Sequence, residues 1–178
     1  MNTENQAIIA RILTYEGVEF VNHSSDRGGP TKYGVTQRTL AAYRKHPVDA
    51  HDVAVLTKSD AAEICEAMFV NLPNFGTIDD MRLRGFVVDW GWASGPQIAT
   101  RGVQRAVNNF FGRAVLAIDG VFGGHSQQTV NSFASGTLFP LVYGQRLRQT
   151  FRFVTDNPEQ AVFAAGWANR LADYIERT

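Results

Sequence analysis

Several things are scarce in this chain, and each scarcity excludes a class of protein. It has a single cysteine, Cys65, in 178 residues. No internal disulfide can form, so nothing marks an oxidising compartment. Cys65 falls in an apolar helical pattern and is expected to be a small buried hydrophobe, not a nucleophile. His23, His46, His51 and His125 are scattered, without a His-Glu-x-x-His pattern or a cysteine pair, so no metal site is expected. No stretch approaches the ~20 apolar residues of a membrane span, so stable membrane insertion is not expected. Charge of one sign is not in excess either: Lys+Arg and Asp+Glu both number 17, unlike the basic surplus of a nucleic-acid binder. A phosphate-cradling glycine signature and a G-x-S-x-G elbow are both missing, and no cofactor is expected. The opening MNTENQAIIARILTYEG has no basic n-region and no long apolar run. The chain is therefore expected to be made in the cytoplasm without a signal peptide.

What is present is an ordinary globular composition, 44% hydrophobic and 19% charged. Residues 90–178 hold 8 basic and 5 acidic side chains, a weak bias that suits an anionic polymer. Helical spacing of apolar residues predicts helices over 4–16, 37–45, about 58–70, 78–92, 96–111, 126–134, 138–154 and 158–176. Thr57-Lys58-Ser59-Asp60 reads as a capping box, and Pro96 suits the first turn of a helix. Between 18 and 35 helical periodicity is lost, and short alternation around an Asp-Arg-Gly-Gly-Pro turn reads as a small hairpin. The fold class is mainly α, with one small hairpin in the N-terminal part. No linker is rich enough to separate two independent domains, so one compact body is expected.

The hairpin segment also holds the most informative residues. Glu16 sits where the first helix should end, with Gly17 as its stop. Asp26 follows ten residues later in a glycine-rich turn, and Thr31 five residues after that. Glycoside cleavage requires an acid that protonates the leaving oxygen and a second group that manages water or the developing positive charge. Glu16 as acid, Asp26 as second carboxylate and Thr31 as a hydroxyl for water fit those roles. Tyr33, Trp90, Trp92, Phe75 and Trp167 are candidates to line a groove for sugar rings, although helical spacing also suits them to a core. Asn22, Tyr33 and Trp90 are taken as the substrate-binding set.

The stretch EG…VNHSSDRGGPTKYGVTQ resembles the N-terminal signature of family 108 glycoside hydrolases, the phage-type N-acetylmuramidases. FVVDWGWASG, Gln104-Arg105-Ala106, Asp119-Gly120-Val121-Phe122-Gly123 and the segment from Phe163 to Arg170 support it over most of the chain. The resemblance implies a lysozyme-like fold, with a catalytic lobe over 1–95 and a helical peptidoglycan-binding region over 96–178. It implies hydrolysis of the β-1,4 bond between N-acetylmuramic acid and N-acetylglucosamine, with Glu16 as the acid and Asp26 and Thr31 around the attacking water. One extra residue precedes Val21 relative to the family pattern, which makes Glu19 an alternative position for the acid. The expected partner is the bacterial wall polymer, with no nucleic acid, and the protein is expected to be a monomer. Phage or prophage lysis, or wall remodelling after release or dedicated export, is the implied setting. Two other readings stay open: a lytic transglycosylase, and a wall-binding protein without catalysis.

Overall fold

The computed structural model of the chain describes residues 2–22 and 29–176. Asp26, one of the candidate carboxylates, lies outside the described residues. The chain divides into two compact units, Met1–Gly76 and Thr77–Thr178.

The first unit opens with α1 (Thr3–Thr14), whose N-cap Asn2 accepts the Asn5 N–H at 2.8 Å. Its apolar stripe buries Ile8, Ile9, Ile12 and Leu13. After it come two short strands, β1 (Thr31–Lys32) and β2 (Val35–Thr36), paired antiparallel with Thr31 opposite Thr36. Thr36 then caps α2 (Gln37–Arg44), which stops at Lys45 in a left-handed conformation, φ 59°. A five-residue helix, α3 (Ala50–Ala54), opens on an Asp49–Asp52 capping box and was not expected from periodicity. The predicted Thr57–Asp60 box does open α4 (Lys58–Cys65). Beyond Cys65 the helix widens into a π turn over Glu66–Asn71. Cys65 is fully buried, as its apolar context required.

The second unit is helical. α5 (Met81–Ser94) is its centre: every residue from Leu83 to Gly91 is buried, so this helix has no solvent face in its middle turns. Asp80 caps it, accepting the Leu83 N–H at 2.9 Å, and its other oxygen takes the Gly136 N–H at 2.7 Å. α6 (Pro96–Phe111), with proline at its first position, packs along α5, and α8 (Phe139–Asp156) packs on both. The contact between α5 and α6 is intimate at Gly102: a Cβ there would lie 2.1 Å from the Trp90 ring. α7 (Gly124–Asn131) packs on α6, and α9 (Ala164–Glu176) packs on α8. The final helix begins six residues later than periodicity suggested, because Pro158–Phe163 winds as a 3-10 helix.

Gly95 joins two helices that pack together in one unit, with φ 94° at the turn. Among the described residues no helix is long and apolar enough to cross a membrane.

Candidate functional site

The candidate site is assembled where α1 hands the chain to the hairpin. The helix closes at Tyr15, whose N–H reaches the Ile12 carbonyl at 3.1 Å. Glu16 therefore lies just past the helix, not within its last turn as the 4–16 span implied. The chain then runs to Val21, which forms an antiparallel bridge with Thr31 through bonds of 2.9 and 2.8 Å.

The two residues between the strands, Tyr33 and Gly34, both have positive φ, 52° and 78°. This is the type I′ geometry that matches the twist of a tight hairpin. Glycine takes it without strain, whereas tyrosine must be held there. The Tyr33 N–H donates to the Gly17 carbonyl at 3.0 Å, and the Lys32 ammonium stands 5.4 Å from the centre of the tyrosine ring. Lys32 is itself fixed by donating to the Ala54 carbonyl at 2.7 Å. The turn is thereby fastened to the residue that follows Glu16.

Gly34 has a second reason to be glycine. A Cβ at this position would sit 2.7 Å from Glu16 Oε2, 2.8 Å from its Cδ and 2.9 Å from its Cγ. The Glu16 carboxylate thus lies across the bare Cα of the turn, and any larger residue would displace it. Glu16 is half-buried, whereas Glu19, the alternative acid, is exposed. Thr31 is half-buried on β1 and donates its hydroxyl to the Gly29 carbonyl at 2.9 Å. That bond uses the hydroxyl hydrogen and leaves oxygen lone pairs able to accept from water. Asn22 is exposed beside the Val21–Thr31 bridge.

Of the sequence candidates, Glu16, Thr31 and Tyr33 are described and belong to one small construction of helix end, bridge and hairpin. Gly34 and Lys32 were not singled out in advance. A Tyr-Gly pair between two β-type dipeptides was the available signal, since two-residue hairpin connections favour primed turns with glycine at a positive φ.

Trp90 must be corrected. It is 1% exposed in the second unit, its ring rests on Gly102, and its indole N–H donates to Gln149 Oε1 at 3.1 Å. A ring so enclosed is a core residue and cannot stack on a sugar. Phe75 is likewise fully buried, while Tyr33, Trp92 and Trp167 keep part of their surface exposed.

Comparison with known proteins adds two similarities. Residues 9–95 match the model of the family described as glycosyl hydrolase 108. The solved structure of Brucella abortus SagA superposes with a TM-score of 0.80 over 97% of this chain and 92% of that one, at 24% identity. No curated protein matches the chain. The superposition bears out the fold class expected from sequence: mainly α, lysozyme-like, with one small hairpin. The matched segment includes α1, the hairpin and Glu16. Residues 9–95, just under half of the chain, are thus similar to the glycosyl hydrolase 108 family, and the likeness to SagA shows the fold.

Proposed function

We propose that the protein is an N-acetylmuramidase that cuts the β-1,4 bond between N-acetylmuramic acid and N-acetylglucosamine in the bacterial wall. The observation that carries this reading is the seat of Glu16. Its carboxylate lies closely against the Gly34 turn, inside the segment that matches a glycoside hydrolase family. A rigidly placed, half-buried acid is what protonation of a glycosidic oxygen requires.

In this reading Glu16 donates its proton to the bridging oxygen as the bond to the sugar lengthens. Asp26 stabilises the oxocarbenium-like charge or takes a proton from the attacking water, and the Thr31 oxygen accepts a hydrogen bond from that water. Tyr33 and Asn22 flank the segment and contact the sugar chain. The second unit holds the wall polymer. The enzyme reaches its substrate after release from the cytoplasm or by dedicated export, as in lysis by a phage or prophage. The reaction needs only water and these side chains.

Mass spectrometry of fragments released from purified sacculi tests the reaction class. Reducing N-acetylmuramic acid ends are expected. Anhydro-muramic ends would mean that the sugar's own hydroxyl attacks and that the protein is a transglycosylase. Binding to sacculi without any fragments would remove catalysis altogether.

A further inference from the structure

Lys32 is half-buried on β1, and its ammonium donates to the Ala54 carbonyl at 2.7 Å. A lysine ordinarily keeps its ammonium in water on a mobile stem. Fixing it here costs rotamer entropy, and what the bond returns is a cross-link between segments 22 positions apart. Ala54 ends α3, and its carbonyl belongs to the last turn, whose acceptors a helix leaves without intrahelical donors.

α3 is held in turn to α2. Arg44 pairs with Asp52 at 2.6 Å, and Gln37 Nε2 donates to the Val48 carbonyl at 2.6 Å just ahead of the α3 cap. α2 starts on Thr36, the last residue of β2. The run from β2 through α2 and α3 therefore closes into a bracket, and Lys32 is the link that returns it to β1.

The Tyr33-Gly34 turn lies between the two strands that this bracket joins. One tie holds it to the Gly17 carbonyl through the Tyr33 N–H at 3.0 Å; the other runs through Lys32 to α3. The same ammonium stands 5.4 Å from the centre of the Tyr33 ring, on a residue whose φ of 52° a tyrosine does not adopt freely. Gly34 is the residue against which the Glu16 carboxylate lies. A shift of the turn is therefore a shift of the surface that the acid rests on.

We propose that Lys32 is a positioning residue for Glu16: its bond to the Ala54 carbonyl sets the Tyr33-Gly34 turn, and the turn sets where the carboxylate meets the glycosidic oxygen. The assignment rests on the muramidase reading above. In that role the ammonium touches no reacting atom, so its loss acts on bond cleavage and not on the hold on substrate.

Clearing of purified sacculi by wild type, Glu16→Gln, Lys32→Met and Lys32→Arg, followed over a range of sacculus concentrations, separates kcat from KM. Lys32→Met keeps the stem and removes the donor; kcat is expected to fall about tenfold with KM within about twofold. Lys32→Arg keeps a donor on a long stem and is expected to recover kcat to within about threefold of wild type. Lys32→Gln, too short to reach Ala54, gives the same reading as Lys32→Met should that variant not fold. Ile64→Val, a core substitution in α4, is expected to lower the thermal transition and leave kcat unchanged, which separates positioning from general loosening. A wild-type kcat in Lys32→Met beside an inactive Glu16→Gln would overturn this proposal while the muramidase reading stands. A loss confined to KM would overturn it in favour of direct contact between the ammonium and substrate, and a failure of Lys32→Arg to recover kcat would overturn it as well.

Discussion

Two acids, one in each unit, sit in opposite circumstances. Asp89 is fully buried, central to α5, and neutralised by two arginines drawn from α8 and α9. Glu16 is half-buried, belongs to no regular element, and lies against a glycine Cα at the turn of a hairpin. Asp89 is held by charge, and its role is to join three helices. Glu16 lies against a glycine, and a side chain at that position would displace its carboxylate.

This contrast breaks most visibly at Asp89. Asp89→Ala leaves two guanidiniums facing each other in the interior, and loss of a buried partner costs about 3–5 kcal/mol. Denaturant unfolding of the variant is expected to report that loss, or no cooperative transition. A change below about 1 kcal/mol would mean that the triad is solvated and is not a clamp.

Gly34→Ala is the corresponding break for Glu16. It is expected to lower the clearing rate of sacculi by about 10²-fold, the scale of an ångström's misplacement at a reacting group. Some of its effect is backbone strain, which Gly112→Ala isolates: that glycine is equally left-handed, φ 62°, with no atom near its Cβ position. Each substitution carries about 1–2 kcal/mol of strain, but only Gly34→Ala should slow clearing. Equal activity loss in both would show that strain, not the seat of the acid, is responsible.

A smaller effect sits at Asp80. Burial pushes its carboxyl up, but the Leu83 and Gly136 N–H groups and the Ser135 hydroxyl outweigh that and hold it below the ordinary value. A depressed carboxyl contributes stability that is complete above its unfolded value of about 3.9 and is lost as pH falls through the folded one. Asp80→Asn is therefore expected to lower stability by about 1 kcal/mol or less at neutral pH, with solvent exposure discounting the figure. The deficit should shrink as the pH drops below about 4. A deficit that does not change with pH would assign the effect to packing.

The smallest expectation concerns Glu19, which is exposed. Glu19→Gln should leave clearing within about twofold of wild type, a change worth only a few tenths of a kcal/mol. A loss as severe as that of Gly34→Ala would move the acid to Glu19.

Much of this architecture was legible in the residues. The Thr57–Asp60 capping box and Pro96 start α4 and α6 where local hydrogen bonding and a fixed φ dictate. The apolar spacing of Leu83, Phe86, Val87 and Trp90 marked a core helix, and α5 is that helix. Short or irregular winding was not legible: α3 has only five residues, too few for a period, and the π and 3-10 turns repeat at other spacings. Trp90 belonged to that same apolar spacing, which already suited it to a core; what the sequence did not show is its partner, Gly102 on another helix. Glu16 stood out in the sequence as a candidate, but its contact with Gly34 did not, since that contact spans a segment without periodicity. The Asp89 triad joins residues 57 and 81 positions apart, a pairing that local pattern does not encode.

The central claim is that Glu16, seated on Gly34, is the acid of a wall-cleaving enzyme. Its most direct test is the loss of turbidity of purified sacculi with wild type and Glu16→Gln side by side, each checked for an unchanged thermal transition. Clearing by wild type and its loss in a folded Glu16→Gln is the predicted result. Undiminished clearing by Glu16→Gln would contradict it.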